Sequence, residues 1–134
     1  MAGFLIAMLS GALMSIQGTF NTGVTKASSI WVAAGFVQLT AFATCLVMWL
    51  VNGRPQIIGL FTVTPKIALL GGVIGAFITY TVIQAISSLG VAKAEIVIVI
   101  SQIAVAYVIE LLGLFGSEKA AFSWVKVLGI GMSI

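Results

Sequence analysis

"VAKAEIVIVISQIAVAYVIE", Val91 to Glu110, reads as a membrane span, yet it carries Glu95, Ser101, Gln102 and Glu110. A helix of about 20 residues rises ~30 Å, the thickness of a hydrocarbon core. An amide or carboxylate in that medium is costly unless it is paired or hydrated, so those kept here need a reason.

The medium follows from composition. The chain is 61% hydrophobic and 7% charged, with a mean hydropathy of +1.27, which leaves too little polar surface to cover a soluble core. Backbone groups in lipid must be satisfied within each segment, by helices or by a closed barrel. The apolar runs are continuous rather than alternating, so helices are expected.

Outward from the quoted stretch, four runs reach spanning length of about 20 residues: 3–24, 30–51, 66–87 and 91–115. The last run, "WVKVLGIGMSI" at 124–134, has 11 residues and would rise only ~16 Å. Nothing polar caps Ile134, so a truncated fifth span is expected rather than a re-entrant one. The first run lacks a basic leader and outlasts a signal peptide, so it is read as a retained span. Gly53, Pro55 and Pro65 break the longest connection, "NGRPQIIGLFTVTP". The expected fold is an all-α polytopic bundle of five transmembrane helices, one domain over 1–134.

Several chemistries lack their parts. There is no His or Asp and a lone cysteine, Cys45, so neither a metal site nor an internal disulfide is supported. No phosphate-cradling Gly-rich loop or nucleophile–base pair is present. Neither an enzyme nor a cofactor is expected. The net charge of +3 fits loop bias rather than a nucleic-acid site. Arg54, Lys66, Lys119 and Lys126 fall on the side of the N-terminus, Lys26 and Lys93 on the other. That narrow margin favours a cytoplasmic N-terminus and would also suit insertion both ways.

The polar residues inside spans are the informative ones. On the first helix Ser10, Met14, Gln17 and Asn21 share a sector of ~60°. On the second, Trp31, Gly35, Gln38, Phe42, Cys45 and Trp49 form a stripe, with the two tryptophans placed as interface anchors. On the third, Gly71 and Gly75 form GxxxG, extended by Gly72 and Ala76, a ridge for close helix packing. Gln38 and Gln84 are expected to bond between helices. Gln17 and Asn21, one turn apart, suit a polar cavity as well as a structural bond.

On the fourth helix Glu95, Gln102, Ala106 and Gly113 line one stripe, with Glu110 ~60° to its side. If Gln102 sits at the midplane, Glu95 lies ~10 Å to one side and Glu110 ~12 Å to the other. Each carboxylate can therefore reach a nearby headgroup region, or both can face a wet cavity that takes protons or a cation.

The segments "LSGALMSIQGTFNTGVTKASS", "NGRP", "LLGGVIGAF" and "SSLGVAKAEIVIVISQIAVAYVIELLGLFG" together resemble, over essentially the whole chain, the YdcZ-like family of small bacterial inner-membrane proteins. That family lies in the drug/metabolite transporter superfamily. The resemblance implies five spans, a chain running past Ile134, export activity, and two units packed antiparallel, as a homodimer or a heterodimer with a paralogue. It also implies that Gln17 and Asn21 match the polar positions of the first helix, that Gln102 matches a recurrent Gly-Gln or Ser-Gln, and that Glu110 stands where relatives often have Asp. Glu95 departs from the pattern, since relatives usually carry a small or hydroxyl residue there.

An antiparallel pair would bring Glu95 of one copy to nearly the depth of Glu110 of the other, a placement suited to exchanging a proton for a cationic solute. The expectation is a multi-pass inner-membrane exporter of a small metabolite, with a lean toward a cationic one, by proton-coupled alternating access. Its path would be lined by Ser10, Gln17, Asn21, Gln102 and the glutamates, and its partners would be the lipid bilayer, the solute and a second unit. An uncoupled channel, or a non-transporting subunit of a larger complex, would use the same residues.

Overall fold

Two adjacent serines end one helix and begin the next. Ser28 Oγ donates to the Val24 carbonyl at 2.9 Å as α1 (Ala2–Ala27) closes. Ser29, in extended conformation, accepts from the Val32 N–H at 3.4 Å and opens α2 (Ile30–Val51), supplying an oxygen to an N–H that has no partner in the first turn. At the far end Asn52 Nδ2 donates to the Met48 carbonyl at 2.7 Å. Gly53 and Arg54, at φ +84 and +54, then reverse the chain, while Trp49 Nε1 donates to the Pro55 carbonyl at 2.9 Å. Trp49 thus ties down the turn as well as sitting at a helix end.

The computed structural model describes residues 1–114 and 123–132. Lys119, and the expected ends of the fourth and fifth spans at Phe115 and Ile134, lie outside them. The link after α2 carries 3₁₀ turns at Ile58–Thr62 and Lys66–Leu70, then α3 (Gly71–Leu89) begins. The third span therefore starts as a tighter helix behind Pro65 and becomes α-helical only at Gly71. α4 is Val91–Leu112 and α5 is Trp124–Met132.

α1, α2, the Lys66–Leu89 segment and α4, at 26, 22, 24 and 22 residues, are long and apolar enough to cross a membrane. α5, with 9 residues, is a shorter fifth helix. The fold is all-α and polytopic, in two units, Met1–Val91 and Ala92–Ile134.

In the first unit α1, α2 and α3 all pack on one another. Its interior is small: Ala33, Ala34, Ile83 and Ile86 are buried, together with Gly18 and Thr22 of α1. Large side chains such as Phe4, Phe36 and Phe77 point outward. Lipid tails are as apolar as the helices, so association depends on close fit and hydrogen bonds rather than on hiding large side chains. Gln38 Nε2 donates to Thr79 Oγ1 at 3.2 Å, joining α2 to α3 as expected. Gln84 instead donates to Tyr80 Oη, one turn back on its own helix, at 3.4 Å. Trp31 stacks on Tyr80 with ring centres 4.7 Å apart and meets Phe77 edge-on at 6.3 Å, so this end of α2 is packed rather than merely anchored.

The GxxxG ridge is engaged at one position. A methyl group on Gly75 would meet Gln38 Nε2 at 3.7 Å, whereas one on Gly71 or Gly72 would meet open space. Ala76 is half-buried beside them. Gly90 alone separates α3 from α4, at φ +82 and ψ 159, with its N–H on the Ile86 carbonyl at 2.9 Å. That backbone region is essentially closed to any residue with a Cβ.

In the second unit, Tyr107 of α4 is the anchor. Its Oη accepts from the Ser123 N–H at 2.8 Å and donates to the Ser123 carbonyl at 3.1 Å, just ahead of α5. Lys126 of α5 lies over the Tyr107 ring, 5.6 Å from its centre, and its Nζ pairs with Glu110 Oε2 at 2.9 Å.

Candidate functional site

α1 and α2 are joined by a two-residue break, so they run side by side and in opposite directions, with a groove of about 460 Å³ along their seam. Its walls are mainly apolar: Leu13, Met14, Ile16 and Phe20 from α1, Val37 and Ala41 from α2. Four polar residues enter it: Gln17 and Asn21 from α1, Thr40 and Thr44 from α2.

The two amides of the α1 stripe are thus brought together on one wall. Ser10 is exposed on the same helix but does not line the groove. Gln17 is exposed, while Asn21 is only 6% exposed. Among the described residues no fully enclosed side-chain nitrogen or oxygen lacks a partner. The Asn21 carboxamide makes no hydrogen bond to any described residue, so its small accessible area lies at its polar end, in the groove.

The threonines differ. Thr40 Oγ1 donates to the Val37 carbonyl and Thr44 Oγ1 to the Thr40 carbonyl, both at 2.9 Å. Their protons are committed to the backbone, and they show the groove only acceptor lone pairs. The same habit recurs up α1, where Thr19, Thr22 and Thr25 donate to the carbonyls of Ser15, Gly18 and Asn21 at 2.9, 2.8 and 2.8 Å. Among the described residues no Lys, Arg, Asp or Glu lines the groove. It can therefore hydrogen-bond in both senses but has no charge to offer.

A second hollow of about 420 Å³ lies within the first unit between α1 and the end of α3, where Lys26, Thr19, Thr22, Ser87 and Gly90 meet. In the second unit Glu95 is half-buried and Gln102 exposed on α4. Glu110, about half exposed, is held by Lys126. That pairing was invisible to helix geometry, because Lys126 stands 16 positions away on another helix. Thr40 and Thr44 were also missed, for they lie on the face of α2 opposite its aromatic stripe, in a helix too apolar to draw attention to two hydroxyls.

Four helices long and apolar enough to cross a membrane, with a largely apolar groove that four uncharged polar residues enter, define a small multi-pass membrane protein. Residues 2–134 match the family described as "Putative inner membrane exporter, YdcZ". The chain belongs to this family of the drug/metabolite transporter superfamily, and it is an inner-membrane protein whose role is transport rather than catalysis. No curated protein and no solved structure matches it.

Proposed function

We propose that this protein exports a small metabolite by proton-coupled alternating access, working as an antiparallel pair with a second copy or a paralogue. Solute enters the α1–α2 groove and meets Gln17 and Asn21 there, and Ser10 and Gln102 are the further polar residues proposed to serve transport. The observation that carries the reading is Asn21: a carboxamide 6% exposed, with no protein partner among the described residues, opening onto a groove of ligand size. Gln17 and Asn21 lie ~4 and ~10 Å past the midpoint of α1 at 1.5 Å per residue, inside the hydrocarbon depth where transporters of this kind hold solute.

Glu95 carries the coupling proton in this reading, since among the described residues it has no ion-pair partner, whereas Glu110 is engaged by Lys126. With Glu110 facing Lys126, Glu95 is the carboxylate left to attract a cationic solute. The ridge of Gly71, Gly72, Gly75 and Ala76 serves helix packing, with Gly71 and Gly72 open for the partner copy of the antiparallel pair.

The test is flux into liposomes holding the purified protein and a trapped pH dye, screened against small cationic, neutral and anionic metabolites. Saturable flux driven by a pH gradient, uncoupled by Glu95→Gln, supports the reading. Unsaturable flux indifferent to the gradient would make the protein a pore. Absence of flux with stable co-purification of another membrane protein would make it a subunit.

A further inference from the structure

We infer that the α1–α2 groove selects a neutral amphipathic solute, one with a single hydrogen-bonding head such as an amide, and that Asn21 is the residue that reads the head. The inference rests on the transport reading only for the purpose of the groove; the binding itself can be measured without flux.

The donor and acceptor census of the groove carries the argument. Thr40 and Thr44 have spent their protons on backbone carbonyls, so the donors facing the groove are the carboxamide N–H groups of Gln17 and Asn21. Each amide also offers an acceptor. A ligand head that both accepts and donates therefore finds a complement, as an amide does on an amide. A cation finds carbonyl and hydroxyl oxygens but no carboxylate, and among largely apolar walls it would lose its hydration without a counter-charge. An anion finds two N–H donors and no Lys or Arg. A purely apolar molecule fits Leu13, Phe20 and Val37 but leaves the buried Asn21 head unpaired, and a site with an unpaired polar group rejects the analogue that lacks the matching group.

The volume agrees. About 460 Å³ is within the range of sites that hold one small molecule. The groove is open along one side, so an apolar tail can extend past it into lipid.

The probes are four molecules of one shape: 4-phenylbutanamide, the 4-phenylbutylammonium ion, 4-phenylbutyrate and butylbenzene. Binding to the full chain in nanodiscs is measured by ligand-observed NMR, with size-exclusion and melting profiles to confirm that each variant is folded. The amide is expected to bind about tenfold or more tightly than the other three, the ratio that one recovered hydrogen bond supplies. Asn21→Leu should remove that advantage. Asn21→Asp should transfer the preference to the ammonium probe, a reversal that a merely structural Asn21 would not produce.

Tightest binding of the ammonium ion by the unmodified protein would overturn the inference, as would equal binding of butylbenzene, which would mark the groove as a seat for a lipid tail. No binding of any probe, with Asn21→Cys forming a disulfide between copies, would assign the groove to a second copy of the chain and overturn it too. Amide binding without flux in liposomes would leave this inference standing and remove the transport reading. Flux indifferent to Asn21→Leu and to competing amide would do the reverse.

Discussion

Lys126 Nζ lies 2.9 Å from Glu110 Oε2, with the two side chains 51% and 48% exposed, so one of the two described intramembrane carboxylates is already answered by a cation of the same chain. The pair is half open, and pairs of that kind contribute about 0.5–1 kcal/mol. A double-mutant cycle with Glu110→Gln and Lys126→Met should return a coupling of that size in denaturant unfolding. The exchanged pair, Glu110→Lys with Lys126→Glu, should recover most of the loss. A coupling near zero would mean that the pair is not held in the bilayer.

Asn21 should behave in the opposite way to an ordinary buried polar residue. Its carboxamide has no partner to lose, so Asn21→Leu removes an unpaired polar group and substitutes apolar contact. Stability is expected to rise by about 1–2 kcal/mol, while flux falls. Function that costs stability at a binding site is the usual trade-off. A melting temperature below that of the unmodified protein would show that Asn21 holds the helices together.

Gln38 and Thr79 form the opposite case, a bond between helices that both partners need. Interhelical hydrogen bonds in membranes average about 0.6 kcal/mol and reach about 1.7. Gln38→Leu and Thr79→Val should each destabilise within that range, and the double variant should cost less than their sum. Strict additivity in steric-trap or SDS unfolding would deny the bond.

Gly90 and Gly71 give a matched comparison. Gly90→Ala forces a Cβ into φ +82, ψ 159, a strain of about 1–3 kcal/mol. Gly71→Ala places a methyl group in open space at an ordinary helical φ of −52, so it should be neutral or slightly stabilising in the isolated unit. If the open glycines pack against a second unit, Gly71→Ala should instead weaken dimerisation, read as a shift in cross-linking yield.

The helices were largely legible because lipid imposes a simple demand on sequence: long apolar runs, cut where serines, Asn52-Gly53 or Gly90 break them. The third run reads from Lys66, where the spanning segment Lys66–Leu89 begins, but hydropathy cannot distinguish the 3₁₀ turn at Lys66–Leu70 from the α-helix that follows. Half of the groove was legible in the stripe of Gln17 and Asn21. Its other wall was not, since helical spacing shows which residues share a face but not which face of α2 turns toward α1. GxxxG pointed to packing, yet the tightest burial fell to Ala33, Ala94 and Ile83, which no motif flags.

The hydroxyls of α1 have one more consequence. Thr19, Thr22, Thr25 and Ser28 each donate to the carbonyl four residues back, and carbonyls shared in this way hold their main-chain bonds less firmly and let a helix bend. All four of these bonds fall in the C-terminal half of α1. Thr25 draws on the carbonyl of Asn21 itself, so the residue that meets the groove also belongs to the stretch of α1 where bending costs least.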